Sequence, residues 1–262
     1  MAETKTNRKT QYSAPALEKG LDILELLSLE SDGLNVSEIA QRLQRSVGEL
    51  FRMLVVLEQR GYVSNLPSSD KYILSLKMFN LSHRFPPVKR LTSAASAVMK
   101  RLSMKIEQSC HLVIYYEGKG HVVVQQDSPS ERMFSVRLGA EAPLINTCSG
   151  HLLLAYADLD ERNAMLEKIP SHHKKSTKKA LKEMIATVLD QGYESISSGQ
   201  AQGVQDIGYP VFDYTGRIAA ALVMPYLTHI DGSNNTSFEQ AQKSVAAAAE
   251  DISVALGYEI AG

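Results

Sequence analysis

The chain has 262 residues, of which 44% are apolar and 22% are charged, and its net charge is −1. This length allows two domains of ordinary size, and the composition is typical of a globular protein rather than a disordered or membrane-spanning one. The polar N-terminal stretch MAETKTNRKT excludes an ordinary signal peptide, and two cysteines are too few for a disulfide framework. We therefore expect a cytoplasmic protein without a membrane partner.

The small net charge is unevenly distributed along the chain. Residues 1–90 carry 13 Lys and Arg against 10 Asp and Glu, whereas residues 91–262 carry 15 against 19. A slightly basic first part followed by an acidic remainder has the sign expected of a DNA-binding head on a second domain. Because the basic excess is small, each chain would bind DNA modestly, and we expect a homo-oligomer, either a dimer or a tetramer.

The first predicted elements are a disordered tail over residues 1–14 and an amphipathic helix over residues 15–29. Pro15 suits the first turn of a helix because its missing N–H needs no partner there. Four leucines repeat at helical spacing and predict the buried stripe of this helix, namely Leu17, Leu21, Leu24 and Leu27.

The next stretch, residues 35–63, predicts two short helices with a tight break at residues 44–45. Asn35 with Glu38 has the spacing of a capping box at the start of the first helix, and Ser46 with Glu49 has it at the second. Two such helices form a helix-turn-helix, whose second helix enters the major groove of DNA. The apolar stripes of the two helices are Val36, Ile39, Ala40 and Leu43, then Val47, Leu50, Leu54 and Leu57.

Two β-prone runs directly after this motif predict a wing. Residues 61–63 begin an extended run, residues 65–70 (NLPSSD) have turn composition, and residues 71–74 (KYIL) are β-prone again. A strand, a polar tip and a second strand after a helix-turn-helix indicate its winged form.

The polar residues around the second helix are the candidate DNA contacts. Arginine binds guanine or a phosphate, and glutamate accepts from the cytosine amino group. For Ser46 and Glu49 the alternative role is the capping box itself, and for Arg52 it is a surface ion pair. The DNA-binding candidates are Arg45, Ser46, Glu49, Arg52 and Lys71.

Residues 75–85 predict a short helix that ends at Pro86-Pro87, where a proline pair favours an extended hinge and a domain boundary. A long helix is then expected from Val88 to Gln108. Its apolar residues form a narrow seam that favours contact with a second copy, the alternative being an ordinary helix packed on its own domain. The seam consists of Val88, Leu91, Ala95, Val98 and Leu102.

The remaining chain mixes strands with helices, which predicts an α+β domain. Strands are expected over residues 111–116, 121–126, 133–138, 193–197, 204–212 and 217–224. Helices are expected over residues 147–157, 159–168, 177–191 and 237–256.

These elements, in this order, resemble the IclR-type bacterial transcriptional regulators over residues 16–256. The resemblance implies a winged helix-turn-helix domain over residues 15–85, a linker helix over 86–108 and a GAF-like effector-binding domain over 109–262. It also implies two partners, a double-stranded DNA operator and a small-molecule effector. The matching motifs are residues 17–27 (LEKGLDILELL), 51–63 (FRMLVVLEQRGYV), 136–144 (VRLGAEAPL), 149–155 (SGHLLLA) and 203–211 (GVQDIGYPV).

The resemblance also suggests where the effector binds. Cys148 and Ser149 precede a predicted helix, whose N-terminal N–H groups suit an anion or a carbonyl oxygen, although an ordinary helix start would have the same sequence. The further effector-binding candidates are Leu138, Ser198 and Asp206. This chain departs from the family at several positions, with His151 in place of the usual lysine and Asp206 in place of a small residue, so the resemblance does not name the ligand.

Asp206 falls on a predicted buried strand, where a carboxylate is costly unless it is paired. Either it binds a ligand, or it meets an internal partner such as Arg137. An ionised Asp206 would repel small unsubstituted oxo-acids. We therefore expect a ligand with hydroxyl or amino donors for Asp206 and an acceptor end for the amides of Cys148 and Ser149.

A cytosolic hydrolase is the alternative from another class of protein. Cys148 and His151 lie at i, i+3 and could be a nucleophile and its base, and the N-terminal domain would then be an interaction module. Nothing in the sequence orients the histidine, so we favour a packed cysteine and expect no catalysis. The histidines lack zinc-type spacing, and no motif predicts a cofactor.

Overall fold

The computed structural model describes residues 13–66, 69–84, 86–169, 178–199 and 201–259. Nearly all of the expected tail, residues 1–14, lies outside these ranges. The chain forms two compact units that divide between residues 85 and 86.

The first unit is a winged helix-turn-helix, as the sequence predicts. Strands β1 and β2 pair antiparallel, from Val63 opposite Leu74 to Leu66 opposite Lys71, and form the wing. The elements are α1 (Pro15–Ser28), α2 (Val36–Leu43), α3 (Val47–Gln59), β1 (Val63–Leu66), β2 (Lys71–Leu74) and α4 (Lys77–Arg84).

The break between α2 and α3 is set by local hydrogen bonds. Asn35 Oδ1 accepts from the Glu38 N–H at 2.9 Å, and Glu38 Oε2 accepts from the Asn35 N–H at 2.8 Å, so the first capping box is complete. Gln44 then adopts a left-handed conformation (φ 53°) that ends α2. At the second helix only half of the predicted capping box forms. Ser46 Oγ accepts from the Glu49 N–H, but the Glu49 carboxylate lies 3.0 Å from the ammonium of Lys19, a charged and therefore stronger donor.

The buried residues of the first unit confirm the apolar stripe predicted for α2 but differ from the stripes predicted for α1 and α3. Ile23 and Leu27 are the buried residues of α1, whereas Leu17 and Leu21 are exposed. At about 100° per residue, Leu17 and Leu21 lie roughly a third of a turn from the face that carries Ile23 and Leu27. On α3, Leu50 and Leu54 are buried and Leu57 is partly buried. Val47, the first residue of α3, is 48% exposed and does not belong to the stripe.

The second unit is a six-stranded antiparallel sheet with helices on both faces, an α+β fold as expected. The strand order is β5-β4-β3-β8-β7-β6. The strands are β3 (Cys110–Tyr116), β4 (Lys119–Gln126), β5 (Glu141–Pro143), β6 (Glu194–Ser197), β7 (Val204–Phe212) and β8 (Ile218–Leu227). The helices are α5 (Pro86–Ile106), α6 (Cys148–Tyr156), α7 (Leu159–Lys168), α8 (Lys178–Gln191) and α9 (Phe238–Ala255).

Each face of the sheet has its own core. Helices α5 and α9 pack on one face with Leu112, Ile207 and Leu222. Helices α6, α7 and α8 pack on the other with Val113 and Val223. The side chains of β7 alternate between these cores, so Asp206 and Gly208 face the α6 side while Ile207 faces α9.

Two predictions about the start of the second unit were wrong. Pro86 and Pro87 do not form an extended hinge, because α5 begins at Pro86 and a proline is tolerated in the first turn of a helix. The seam of α5 does not face a second copy. Its residues Leu91, Ala95 and Leu102 are buried against α9 and the sheet of the same chain, so the ordinary-helix alternative holds.

The predicted strand over residues 133–138 is also absent from the sheet. The outer edge of β4 pairs with β5 at residues 119–121. At residue 125 of the same strand, a side chain and not the backbone forms the hydrogen bonds to the next segment. Gln125 donates to Ser135 Oγ at 2.9 Å and accepts from the Leu138 N–H at 2.8 Å. These bonds fix residues 133–138 as an irregular segment over the sheet edge.

The left-handed Gln44 gives a test of the turn. Glycine adopts this conformation without the steric cost of a Cβ atom, so Gln44→Gly should raise the free energy of unfolding by about 0.5–1 kcal/mol. Gln41→Gly, inside α2, is the matched control and should lower it by about 1 kcal/mol. Urea unfolding measures both, and a destabilised Gln44→Gly would contradict the role given to this residue.

Candidate DNA interface and ligand pocket

Three of the candidate DNA contacts are cations that form no ion pair in the described part of the first unit. Within residues 13–66 and 69–84, neither Arg45 nor Arg52 nor Lys71 forms an ion pair. Arg42 differs, because it pairs with Glu30. Arg45 and Arg52 are exposed at and just before the N-terminal half of α3, and Lys71 begins β2 of the wing. Their charges are therefore available to phosphates.

The other two candidates already have structural roles. Ser46 caps α3 through the Glu49 N–H. The hydrogen bond from Lys19 lowers the pKa of Glu49, so this side chain is a carboxylate at neutral pH. Lys19 engages Oε1, and Ser46 also lowers the pKa of Glu49 through its side chain and its backbone, so the carboxylate is held at the start of α3.

A pocket of about 210 Å³ lies between the start of α6 and the open face of the sheet. Thr147 caps α6 by accepting from the Gly150 N–H at 3.1 Å, and donates to the Pro143 carbonyl. The N–H groups of Cys148 and Ser149 have no hydrogen-bond acceptor among the described residues. The polar side chains that line the pocket are His111, Glu141, Asn146, Thr147, Cys148, Ser149, Ser198 and Asp206.

Two glycines allow α6 to lie close to the sheet and to the segment that precedes the helix. A Cβ atom at Gly208 of β7 would lie 2.5 Å from Cys148 Sγ, and one at Gly150 would lie 2.4 Å from the Leu144 carbonyl oxygen. Any larger residue at either position would displace the helix, so these glycines determine the depth of the pocket.

Asp206 has no internal partner among the described residues. Arg137, the alternative raised by the sequence, is exposed and forms no ion pair with it. Burial raises the pKa of Asp206 to about 6. A half-buried carboxylate with vacant acceptor positions is a cost to folding that a ligand donor would relieve.

His111 is the site residue that the sequence analysis missed. It lies on β3 and is buried, and its solvent-inaccessible Nδ1 has no hydrogen-bond partner among the residues that the structure describes. Burial lowers the pKa of His111 to about 4, so the imidazole is neutral at physiological pH. The sequence feature that could have identified His111 is its position in the apolar run HLVIYY, because an isolated polar residue on a buried strand needs a hydrogen-bond partner.

The pocket brings together four of the five predicted effector-binding residues. Cys148, Ser149, Ser198 and Asp206 all line it. Leu138 does not, because its side chain is 63% exposed in the irregular segment after residue 133. The backbone of Leu138 is held by Gln125 instead.

The Cys148–His151 pair lacks the features of a nucleophile and its base. Burial raises the pKa of the Cys148 thiol well above its ordinary value, which favours the unreactive thiol over the thiolate. His151 is oriented, contrary to expectation, but not by Cys148. Its Nδ1 lies 2.6 Å from Glu194 Oε2 and its Nε2 lies 2.7 Å from the Ile145 carbonyl oxygen.

Both ring nitrogens of His151 face oxygen atoms. Nε2 donates its hydrogen to the Ile145 carbonyl, and one further hydrogen is shared between Nδ1 and the Glu194 carboxylate. Both side chains are mostly buried, so His151 and Glu194 form a buried structural pair between α6 and β6.

The described part of the chain contains no group of three or more His, Cys, Asp or Glu side chains arranged to hold a metal ion. None of its helices has the length and apolar character to cross a membrane.

A winged helix-turn-helix unit, together with a second unit that carries a small-molecule pocket, defines a ligand-responsive DNA-binding regulator. The chain belongs to the IclR family of bacterial transcriptional regulators. Residues 16–67 match the IclR helix-turn-helix domain, and residues 88–254 match the bacterial transcriptional regulator IclR C-terminal model. The hydrolase alternative finds no support among these matches.

Known relatives agree with this assignment. The chain is 32% identical over 260 residues to the HTH-type transcriptional regulator KdgR of Escherichia coli (strain K12), with 95% of each covered. The crystal structure of the Thermotoga maritima IclR matches with a TM-score of 0.70 at 23% identity, covering 92% of this chain and 98% of that one. An IclR homolog from Microbacterium hydrocarbonoxydans, complexed with 4-hydroxybenzoate, matches with a TM-score of 0.74 at 20% identity, covering 92% and 98%.

The raised pKa of Asp206 predicts a pH dependence. Its unfolded pKa is near 3.8 and its folded pKa is about 6, so the native state binds more protons in this window and stability falls as pH rises through it. Asp206→Asn removes this cost and should raise the free energy of unfolding above pH 6 by about 1–3 kcal/mol, with the gain fading towards pH 4.

Calorimetric unfolding at about pH 7.5 and about pH 4.5 measures this gain. Asp251→Asn is the control, because Asp251 is exposed on α9, on the opposite face of the sheet. An equal gain at both pH values would contradict the assignment to Asp206.

Proposed function

We propose that this cytoplasmic regulator binds an operator as a homo-oligomer, and that a small metabolite in the pocket at the start of α6 changes its affinity for DNA. The observation that carries the proposal is a set of polar groups in that pocket that have no hydrogen-bond partner among the described residues, namely Asp206 and the amides of Cys148 and Ser149. Native proteins satisfy buried polar groups, and a ligand would satisfy these.

On the DNA side, Arg45, Arg52 and Lys71 would contact phosphates or guanine. Ser46, just before α3, would contact the sugar-phosphate backbone of the DNA. Glu49 would accept from a cytosine amino group, because its carboxylate remains ionised beside Lys19. The modest charge of the head supports binding by two or more linked heads, since linkage multiplies a weak affinity.

The DNA contacts predict a specific loss of affinity. Arg52→Ala should weaken operator binding by about 1–3 kcal/mol and reduce the slope of log K against log salt by about 1. The matched control is Arg42→Ala on α2, whose guanidinium pairs with Glu30 and should matter little.

Fluorescence anisotropy on DNA upstream of the chain's own gene, at several salt concentrations, measures both variants. Equal effects of Arg42→Ala and Arg52→Ala would remove Arg52 from the interface. A wild-type chain without salt-dependent DNA binding would contradict the proposal as a whole.

On the effector side, the lining favours a small ligand with two different ends. The pocket is smaller than the ~300–1,000 Å³ of sites for drug-sized ligands. One end would accept hydrogen bonds from the N–H groups at the start of α6, where the helix dipole favours negative charge. The other would donate a hydroxyl or amino hydrogen to Asp206, beside the neutral His111. A small-molecule ligand also agrees with the 4-hydroxybenzoate complex of the Microbacterium hydrocarbonoxydans homolog.

A thermal-shift screen tests this chemistry. Hydroxylated or amino-substituted acids should raise the melting temperature of the wild type more than unsubstituted oxo-acids of the same length, and Asp206→Ala should remove the difference. Asp251→Ala, far from the pocket on α9, should retain it. A simple oxo-acid as the best binder, with affinity unchanged in Asp206→Ala, would show that the proposed orientation is wrong.

A further inference from the structure

The exposed side of α3 carries an apolar pair that contributes nothing to the core. Val47 and Phe51 are 48% and 49% exposed and lie one turn apart, at i and i+4. Between them in sequence is Gly48, where an added Cβ atom would meet no atom within 4 Å. The missing side chain at Gly48 leaves the helix surface beside the pair open to an approaching molecule.

The pair lies in the part of a recognition helix that reaches bases. Val47 is the first and Phe51 the fifth residue of α3, and in a helix-turn-helix the N-terminal residues of the second helix contact base edges. Arg45 precedes the pair and Arg52 follows it, both exposed and without an ion pair in the described part of this unit. With these arginines on phosphates or guanines, Val47 and Phe51 would face the floor of the major groove.

The major groove offers these side chains one apolar group. Of the four bases only thymine presents a methyl group there, at C5, and this group is a known partner of phenylalanine and other apolar side chains. We propose that Val47 and Phe51 form a thymine-methyl reader, so that the operator carries thymine where this pair enters each half-site. The inference rests on the DNA-binding function and adds a base preference to it.

A second copy of the head is the other possible occupant of this surface. A two-fold contact through Val47 and Phe51 would bring Arg45 and Arg52 of one copy close to the same residues of its partner. The described first unit offers no acidic side chain beside the pair to neutralise them, because Glu49 is held by Lys19. Charge therefore favours DNA over self-association here.

Replacing thymidine by deoxyuridine tests the proposal, because it removes only the methyl group. The duplex is first selected from a random pool by the full-length protein and is then synthesised with thymidine or with deoxyuridine throughout the site. Wild-type affinity should fall about fourfold for each contacted methyl group, the factor expected for burying one methyl. Phe51→Ala should bind the thymidine duplex more weakly and lose most of this discrimination, and Val47→Ala should lose part of it.

Val56→Ala is the matched control, since Val56 is a similarly exposed apolar residue further along the same helix. It should keep the full ratio between the two duplexes. The coupling between residue and methyl group is obtained from the four affinities of a double-mutant cycle, and thermal unfolding checks that each variant folds.

Equal wild-type affinity for the two duplexes would overturn the thymine reader while leaving DNA binding intact. Phe51→Ala that weakens binding but retains the wild-type ratio would overturn it as well, and loss of oligomerisation in that variant would assign the surface to a second copy. Selection of no sequence at all would overturn the DNA-binding function itself, and this inference with it.

Discussion

The imidazole of His151 forms the hydrogen bonds that hold α6 against the rest of the second unit. His151 reaches the Ile145 carbonyl through Nε2 and the Glu194 carboxyl through Nδ1, and so links the helix to the loop before it and to the edge strand β6. A buried pair of this kind resists separation, because removing one member leaves the other without compensation. With α6 fixed and pressed against Gly208, its first N–H groups open into the same pocket as Asp206 and His111.

The pocket is thus a place where folding leaves polar groups unsatisfied. The core on either side of the sheet is apolar and well packed, whereas Asp206 and His111 Nδ1 lack partners among the described residues. A ligand can shift DNA affinity only if it binds one arrangement of the protein better than another. Hydrogen bonds from a ligand to Asp206 and to the amides at the start of α6 therefore shift DNA affinity only to the extent that they form better in one arrangement than in the other.

The sequence predicted what local interactions determine and missed what distant residues determine. The helix-turn-helix follows from the Asn35 cap and from short apolar spacings within the segment. The seam of α5 was misassigned because its partner, α9, lies more than a hundred residues later in the chain. His111 was missed because its burial without a partner among the described residues is a property of the folded sheet, and Leu138 lies outside the pocket because Gln125, rather than strand pairing, positions its segment.

The central claim is that the pocket and the DNA-binding head are thermodynamically linked. The direct test uses the best ligand from the metabolite screen and the selected duplex, with four affinities measured by calorimetry and anisotropy: duplex with and without ligand, and ligand with and without duplex. One ratio is the change in duplex affinity caused by the ligand, and the other is the change in ligand affinity caused by the duplex. Linkage requires these two ratios to be equal and different from one, with a coupling of about 1–3 kcal/mol typical of such systems. A ligand that binds the pocket with the same affinity whether or not the duplex is bound would contradict the account.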